Sequence, residues 1–386
     1  METVAVIFGG KSAEHDISII TAISTIIKPL ELTKKYNVLP VYITKSGEWY
    51  CDSKLKDIYN YTKKDISETL KKIKPITLDL NNGLTLIKTS KFGKSERIKV
   101  DVAFPSMHGT YGEDGTLMGV LEMANVPFIG CDTAASAVAM NKVLSKKVAE
   151  SSGISVVNYH DFTKAEYLAN PEEVVKAVAK KLKYPLFIKP AHLGSSIGIS
   201  KAKDEVELKN AIEVAAFYDD LILVEEEVKN LVEVTLPIIG NDKLTPAFLE
   251  KPLTQAEDFF DFDTKYLRNG KNSAKSGAKG SQGYSEVPAK LEKKLYDEAV
   301  NVGLSVYKAI GLSGISRVDM LIDSKTNKIY FNEVNPLPGG LYIHNWIKSG
   351  ISNAEMVDKL IELAKEKFNA KASVNTKFTT SYLRQF

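Results

Sequence analysis

The sequence predicts an α/β fold whose N-terminal part is an open parallel sheet. Residues 4–8 form a continuous apolar run, which is typical of a strand buried on both faces. Gly9 and Gly10 end this run, and residues 12–27 then show the spacing of a helix. A strand, a glycine turn and a helix open a parallel α/β unit, with a ligand site near the helix N-terminus. The length of 386 residues predicts two or three domains.

Composition argues against several classes of protein. Hydrophobic residues make up 44% of the chain and charged residues 26%, which is ordinary for a globular enzyme. The formal charge of +3 is small and the basic residues are dispersed, so we expect no nucleic-acid partner. The N-terminal apolar run is too short for a membrane span and lacks a cleavable signal pattern, so we expect no membrane partner. The two cysteines, Cys51 and Cys131, argue against a disulfide framework and predict a cytoplasmic protein.

The remaining elements follow along the chain. Strands are predicted at residues 37–43 and 100–105, and a single helix at residues 134–150. Residues 50–98 are lysine-rich and weakly periodic, so we expect a peripheral excursion without chemistry. Further on, an apolar strand leads to Lys189.

Residues 315–340, ISRVDMLIDSKTNKIYFNEVNPLPGG, carry the strongest functional signal. They contain two short apolar strands joined by a polar turn. Because side chains alternate along a strand, Arg317 and Asp319 share one face, and so do Glu333 and Asn335. If the strands pair as a hairpin, these faces coincide and bring together two carboxylates and an amide oxygen, which suit Mg²⁺.

A solvated polar hairpin is the alternative interpretation of this stretch. The run that follows, NPLPGG, favours a functional site. Its prolines stiffen the exit from the second strand, and Gly339 and Gly340 let backbone N–H groups approach a ligand.

Two further stretches and two predicted helices carry candidate ligand groups. The string HGTYGEDG follows a predicted strand, where His108 and Glu113 can orient a small polar substrate. In FIKPAHLGSSIG, Lys189 precedes glycines and serines that can wrap a phosphate, although the order is not that of a Walker A loop. Glu14 and Lys142 lie on predicted helices, and each could instead be an ordinary surface charge.

Taken together, these strings resemble the ATP-grasp ligases, and most closely the D-alanine–D-alanine ligase family. The strings FGGKSAEHDIS, HGTYGEDG, FIKPAHLGSSIG, EDFFDFDTKYL, RVDMLID and FNEVNPLPGG appear in the family's order between residue 4 and about residue 367. The resemblance implies a three-domain ATP-grasp fold, with an N-terminal domain at 1–130, a central subdomain at 131–227 and a C-terminal subdomain at 228–386. It also implies ATP-dependent joining of two D-alanines through an acyl phosphate, for peptidoglycan precursor synthesis.

The resemblance implies roles for residues at the positions that match the family's motifs. The implied catalytic residues are Glu14, Ser195, Tyr266, Arg317 and Gly339. The implied ATP-binding residues are Lys142, Lys189, Glu226, Glu227, Glu233 and Lys265. At the three glutamates, the alignment with the family's motif can be shifted by one residue. His108 and Glu113 are the implied residues of the first substrate site, and the implied metal ligands are Asp319, Glu333 and Asn335. The cofactors would be ATP and Mg²⁺, with Mn²⁺ as an alternative metal, and the family suggests a homodimer.

Two positions depart from the family pattern. Asn141 stands where the family usually has aspartate before the lysine at 142. After the glycine run, the family places a serine–leucine pair that holds the carboxylate of the second D-alanine, whereas this chain has His344 and Asn345 there.

We therefore expect His344 and Asn345 to bind the second substrate, and the identity of that substrate stays open. The histidine could take over the serine's role with an unchanged product. Alternatively, the second substrate could be D-lactate, D-serine or another amine. A nucleotide-binding regulator without catalysis is a third interpretation, but intact candidates at each phosphate and metal position argue against it.

Overall fold

The protein has the α/β structure that the sequence predicts. The computed structural model describes residues 1–62, 65–89, 95–252, 285–374 and 381–386. The strands in this part of the chain are β1 (Glu2–Gly9), β2 (Tyr36–Ile43), β3 (Trp49–Cys51), β4 (Ile76–Asp79), β5 (Leu84–Thr89), β6 (Ser95–Val100), β7 (Val102–Pro105), β8 (Tyr159–Thr163), β9 (Leu186–Pro190), β10 (Ser200–Ala202), β11 (Leu221–Glu226), β12 (Leu231–Gly240), β13 (Leu244–Pro246), β14 (Lys251–Pro252), β15 (Ser285–Glu286), β16 (Gly314–Asp323) and β17 (Lys328–Asn335).

Helices cover and connect these strands. The α-helices are His15–Ile20, Lys28–Thr33, Tyr59–Thr62, Ile66–Leu70, Thr116–Met123, Thr133–Met140, Lys142–Ser151, Lys164–Ala169, Pro171–Lys181, Glu205–Tyr218, Lys293–Ile310, Ile343–Lys348 and Asn353–Ala372. A π-helix, Thr21–Ile27, joins the first two, and 3₁₀ turns lie at Ser53–Lys56, Gly339–Tyr342 and Tyr382–Gln385. No helix in the described ranges combines the length and apolar character needed to cross a bilayer.

The N-terminal sheet has the order β3-β2-β1-β7. Strand β1 runs parallel to both β2 and β7, which confirms the predicted open parallel sheet, and β3 is an antiparallel edge. The helical stretch after β1 buries Ile19, Ile23, Ile26 and Leu30 against this sheet. Their spacing of three or four residues makes one apolar stripe, which explains why the segment is helical and which face it buries.

One expectation about the elements was wrong. Residues 134–150 form two helices and not one, because Asn141 leaves the helical conformation (φ −91°, ψ 103°) and its side chain accepts a hydrogen bond from the Leu144 N–H at 2.9 Å. Asparagine is a favoured N-cap, and this local bond competes with helix continuation. The excursion at 50–98 contains an ordered antiparallel sheet, β4-β5-β6, which its weak periodicity did not indicate.

Two four-stranded sheets make up the rest of the core. The central sheet has the order β10-β9-β11-β8, and the C-terminal sheet has the order β13-β12-β16-β17. The helix Lys142–Ser151 lies between them. At one side, the Lys142 N–H donates to the Ala191 carbonyl, which directly follows β9 of the central sheet, and at the other the helix packs against β17. Residues at the ends of these sheets can therefore meet in the space between them.

Leu30 and Leu32 lie two residues apart on the helix Lys28–Thr33, and they provide a direct test of this core. Leu30 is fully buried, whereas 77% of Leu32 is exposed. We expect Leu30→Ala to destabilise the protein by about 2–5 kcal/mol, because it leaves a cavity against β1. Leu32→Ala should change stability by less than about 0.5 kcal/mol. Equal shifts of the thermal unfolding midpoint, measured by calorimetry, would contradict this packing.

Candidate functional site

The hairpin of β16 and β17 carries a polar face at the centre of the site. Arg317 lies opposite Asn335, and Asp319 lies opposite Glu333, so the two predicted faces coincide. Arg317 donates to both carboxylate oxygens of Asp319, from Nε at 2.7 Å and from Nη2 at 2.5 Å. The set of two carboxylates and one amide oxygen fits the preference of Mg²⁺ for hard oxygen ligands.

Lysines from the central part of the chain reach this hairpin. The ammonium of Lys142 lies 3.3 Å from a carboxylate oxygen of Glu333 and donates to the Leu193 carbonyl at 2.5 Å. The ammonium of Lys189 lies 3.4 Å from the side-chain oxygen of Asn332. Both lysines are thus next to the predicted metal ligands, where positive charge can meet a phosphate chain.

A buried charge cluster behind these lysines was not predicted. Both oxygens of Glu225 form ion pairs with ammonium groups, Oε1 at 2.6 Å from Lys146 and Oε2 at 2.5 Å from Lys189. Burial alone would raise the pKa of Glu225, but the two lysines hold it at about 2. Burial lowers the pKa of Lys146, which has no exposed surface. The sequence could have indicated that Lys146 belongs to the site, since it follows Lys142 by one helical turn and so lies on the same face of the helix.

The glutamates predicted for the hinge lie outside this cluster. Glu226 accepts from the Lys183 N–H at 2.8 Å and from the Asn158 amide at 2.9 Å. Glu227 pairs with Lys201 at 2.5 Å. Because side chains alternate on β11, Glu225 faces the lysines and Glu226 faces away, a difference that the run of three glutamates concealed.

Next to this hinge lies a cavity of about 250 Å³. It is lined by Val157, Asn158, Glu226, Glu227, Val228, Lys229, Asp323, Lys328 and Tyr330. Tyr330 and Asp323 come from the same hairpin as the predicted metal ligands. Glu233 lies on the neighbouring strand β12, where its charge acts on Lys189. The cavity therefore lies beside the turn end of the hairpin that carries the predicted metal ligands.

The site predicted for the first substrate lies at the carboxyl end of β1 and β7. The hydroxyl of Ser195 donates to Glu14, which is the N-terminal cap residue of the first helix. Glu113 accepts from the Gly109 N–H at 2.7 Å, and its other oxygen lies 3.8 Å from His108 Nδ1. Burial, followed by the nearby charge of Glu113, raises the pKa of Glu14. Burial opposes the charged form of His108, but Glu113 and Glu14 raise its pKa overall.

The loop that supplies Ser195 is held at its base and strained at its tip. Ser195 and Ser196 have φ of +54° and +59°, in the left-handed region that costs energy for residues other than glycine. At the base, the His192 ring pairs with Asp219 at 2.9 Å and meets the Asn141 amide at 2.9 Å. Asn141 therefore connects the start of the helix Lys142–Ser151 to this loop. The sequence showed Asn141 only as a departure from the family pattern and did not predict this contact.

The turn after β17 brings Gly339 to the subsite of Glu14. A Cβ built on Gly339 would lie 3.9 Å from Ile17, and the Gly340 N–H donates to the Thr21 hydroxyl at 3.0 Å. Leu341 and Tyr342 follow with φ of +51° and +54°. The turn is thus a strained segment that packs on the N-terminal helix, with its backbone beside the predicted site.

His344 and Asn345 follow this turn and share one partner. The His344 Nε2 atom lies 2.9 Å from the buried carboxylate of Glu250, and the Asn345 amide donates to Glu250 at 3.0 Å and to the Phe248 carbonyl at 2.9 Å. Asn345 has no exposed surface, and its amide donates to other residues of the protein. This favours a positioning role for Asn345 over contact with a ligand. His344 stacks on Tyr342, with ring centroids 4.6 Å apart, and Tyr342 lies under the Arg317 guanidinium.

Two predicted residues, Lys265 and Tyr266, lie outside the described residues. The other predicted residues fall into one connected region, with Glu226 and Glu227 at its hinge edge. This region can hold a polyphosphate among lysines, a divalent cation on the hairpin and a small zwitterion near Glu14.

Comparisons with known proteins cover nearly the whole chain. Residues 3–131 match the family described as "D-ala D-ala ligase N-terminus", and residues 148–362 match "D-ala D-ala ligase C-terminus". The chain is 37% identical over 380 residues to the D-alanine–D-alanine ligase of Acetivibrio thermocellus, which covers 95% of this chain and 96% of that protein. It is 37% identical over 375 residues to the enzyme of the same name from Chloroherpeton thalassium, with 95% and 97% covered.

Solved structures resemble the protein over a similar extent. The VanG D-Ala:D-Ser ligase from Enterococcus faecalis has a TM-score of 0.78 and 35% identity, covering 94% of this chain and 99% of that one. The D-alanine–D-alanine ligase from Coxiella burnetii has a TM-score of 0.78 and 26% identity, covering 96% and 97%.

The buried charge cluster can be tested by pairing Glu225→Gln with Glu226→Gln. Removing the Glu225 charge leaves two buried ammonium groups uncompensated, so we expect a loss of about 3–5 kcal/mol in unfolding free energy. Glu226→Gln should cost less than about 1 kcal/mol, because its partners are reached by solvent. Urea unfolding of both variants measures the difference.

The same cluster predicts a pH dependence of stability. The folded pKa of Glu225, about 2, lies below its ordinary value of 4.5. The stabilisation is therefore complete above pH 4.5 and is lost as pH falls toward 2. Between these pH values, Glu225→Gln should show a shallower decline of the unfolding midpoint than the wild type. Parallel declines would contradict the buried pair.

Proposed function

We infer the reaction from the family: the chain belongs to the D-alanine–D-alanine ligase family, as its motifs predicted, and it is an ATP-dependent ligase. The predicted ATP-grasp fold is confirmed by the likeness to solved ligases. The protein joins two D-alanines to D-alanyl-D-alanine for cell-wall synthesis. The roles of individual residues in this reaction are our proposal.

One observation supports these roles above the others, namely an unbroken series of contacts across the site. Asp319 lies opposite Glu333, and Glu333 lies 3.3 Å from Lys142. Lys142 bonds the carbonyl of Leu193, in the loop whose Ser195 bonds Glu14. The predicted metal, phosphate and amino-acid groups are thus neighbours, as a transfer from nucleotide to amino acid requires.

In this proposal ATP lies between the central and C-terminal sheets. The hinge cavity accepts the nucleoside, with backbone groups at Glu226 and Glu227 for the adenine and Glu233 for the ribose. Lys142 and Lys189 contact the phosphates. The family's motif implies the same role for Lys265, which lies outside the described residues. Lysine suits this role because its ammonium is a compact point charge.

Asp319, Glu333 and Asn335 would hold Mg²⁺, with Mn²⁺ as the alternative. Their fit rests on the donor set, since three oxygen ligands share one face of a paired hairpin. When bound, the ion neutralises phosphate charge and polarises the transferring group. Arg317 donates two hydrogen bonds to Asp319 and so lies beside the proposed metal ligands.

The first step uses the subsite of Glu14. The ammonium of the first D-alanine lies near Glu14 and Glu113, and its carboxylate lies toward His108. The raised pKa of His108 favours the imidazolium form, which suits an anionic substrate group. The substrate carboxylate attacks the γ-phosphorus and the bond to the bridging oxygen breaks, which yields an acyl phosphate and ADP, while the lysines balance the developing charge.

The second step joins the two amino acids. The amine of the second D-alanine attacks the acyl carbon, and the tetrahedral oxyanion is stabilised by Arg317 and the Gly339 N–H. The bond from the acyl carbon to the phosphate oxygen then breaks, the departing phosphate takes the proton lost by the nitrogen, and the amide is left. Ser195 and Glu14, together with Tyr266 outside the described residues, close over the first substrate, and exclusion of water protects the acyl phosphate.

The proposal extends to the organisation of the chain. We propose domain limits at 1–130, 131–227 and 228–386, which limited proteolysis can test. A homodimer and a cytoplasmic location stay predictions, and sedimentation of the purified protein tests the first of them.

The reaction is tested by incubating the protein with ATP, Mg²⁺ and D-alanine and identifying the products by mass. We expect one phosphate per D-alanyl-D-alanine. Asp319→Asn should lower turnover by at least about 10²-fold, because it removes a charged metal ligand. Asp297→Asn, at an exposed helix position, is the matched control. Full activity of Asp319→Asn would refute the metal assignment.

A second candidate, ligation of D-alanine to D-serine, is favoured by one specific observation. The VanG D-Ala:D-Ser ligase is 35% identical to this chain, and His344 stands where the family pattern has serine. Since the carboxylate of Glu250 can only accept, His344 Nε2 carries the proton, and Nδ1 would be the atom that accepts from a substrate.

Competition between D-alanine and D-serine as second substrates separates the two candidates. We expect His344→Ser to change the ratio of the two products by about fivefold, the effect of one hydrogen bond. Lys348→Ser, on the same helix, should leave the ratio unchanged. An unaltered ratio in His344→Ser would show that this residue does not select the acceptor.

A further inference from the structure

One hydroxyl joins three parts of the chain at the boundary between the two substrate subsites. The Thr21 Oγ1 atom accepts from the Gly340 N–H at 3.0 Å and lies 3.1 Å from His108 Nε2. Thr21 is separated from Gly340 by 319 positions and from His108 by 87. Both Thr21 and His108 are buried, with 2% and 3% exposure, so water does not compete for these bonds.

The hydrogen-bonding capacity of a hydroxyl allows both contacts at once. A hydroxyl offers one donor and two acceptor positions. The Gly340 N–H uses one acceptor position of the Thr21 hydroxyl. If His108 Nε2 carries no proton, the hydroxyl can donate to it. If Nε2 is protonated, it can donate to the second acceptor position of the hydroxyl. Thr21 can thus keep both partners in either protonation state of His108.

The local backbone explains why this position is available. Thr21 is the first residue of the π-helix Thr21–Ile27, a wider turn that often occurs at functional sites. The Gly339–Tyr342 turn rests on this segment through the fully buried Leu341, which belongs to the same core as Ile23 and Ile26. Since Leu341 and Tyr342 both have positive φ, the turn needs external contacts to hold its conformation.

We propose that Thr21 is a positioning residue that fixes His108 in the first substrate subsite and the Gly339–Tyr342 turn in the second. This inference rests on the proposed function for its kinetic consequences. Loss of the Thr21 hydroxyl would loosen the turn. Water, and not the amine of the second substrate, would then attack the acyl phosphate. The result is hydrolysis of ATP to ADP and phosphate, with D-alanine regenerated and no dipeptide formed.

The kinetic test compares Thr21→Val, which keeps the shape, with Thr21→Ser, which keeps the hydroxyl. Thr25→Val is the matched control, because Thr25 is a buried threonine on the same π-helix that bonds neither His108 nor Gly340 within the described part of the chain. We expect Thr21→Val to release at least about two phosphates per dipeptide and to raise KM for the first D-alanine about fivefold. Thr21→Ser and Thr25→Val should stay within about twofold of the wild type.

The outcomes separate this inference from the proposed function. Wild-type protein that forms no dipeptide would refute the proposed function. Active wild type with one phosphate per dipeptide in Thr21→Val would refute the positioning role. A defect that Thr21→Ser shares equally would also refute it, because the hydroxyl would then be irrelevant.

A second measurement needs no activity and also applies if Thr21→Val fails to fold. Amide hydrogen exchange of the wild type should show the Gly340 N–H protected by at least about 100-fold relative to an unstructured peptide. Where Thr21→Val folds, peptides containing residues 339–342 should exchange about tenfold faster than in Thr25→Val. An unprotected Gly340 amide in the wild type would overturn the inference.

Discussion

The carboxylate of Glu225, buried between the ammonium groups of Lys146 and Lys189, is the interaction on which the geometry of the site depends. It holds the helix Lys142–Ser151 to strands β9 and β11 of the central sheet. The same two lysines reach the hairpin strand β17, at the Phe331 carbonyl and the Asn332 side chain. Buried ion pairs contribute little net stability because desolvation opposes them. Their value here is geometric, since the cluster sets the separation between the central sheet and the metal-binding hairpin.

A second constraint joins the two ends of the chain. The turn Gly339–Tyr342 packs on the π-helical segment near the N-terminus, and its backbone is strained at two successive residues, Leu341 and Tyr342. A strained turn persists only where its surroundings determine it. The helical segment next to Glu14 therefore contacts residues more than three hundred positions away, and the two meet only when the N-terminal and C-terminal parts of the chain have docked.

The charge distribution follows from these constraints. Glu14 and Glu113 lie close together in a buried subsite, and both burial and repulsion raise the pKa of Glu14. A ligand ammonium would relieve that repulsion, whereas the lysines and Arg317 leave the opposite side of the site positive. The site thus favours a zwitterion at one end and a polyphosphate at the other, which is the charge pattern that an amino-acid-activating ligase needs.

The sequence by itself determined the elements whose signals are local. Alternation along two strands was sufficient to predict the shared face of Arg317, Asp319, Glu333 and Asn335, because period two is a property of any strand. Tertiary structure alone decided which of three successive glutamates faces the lysines, that Asn141 interrupts a helix, and that Asn345 is enclosed by Glu250 and Phe248. It also decided that Thr21 meets His108 and Gly340. These outcomes depend on which distant segments pack together, and a contact between positions 21 and 340 leaves no periodicity in the sequence from which it could be predicted.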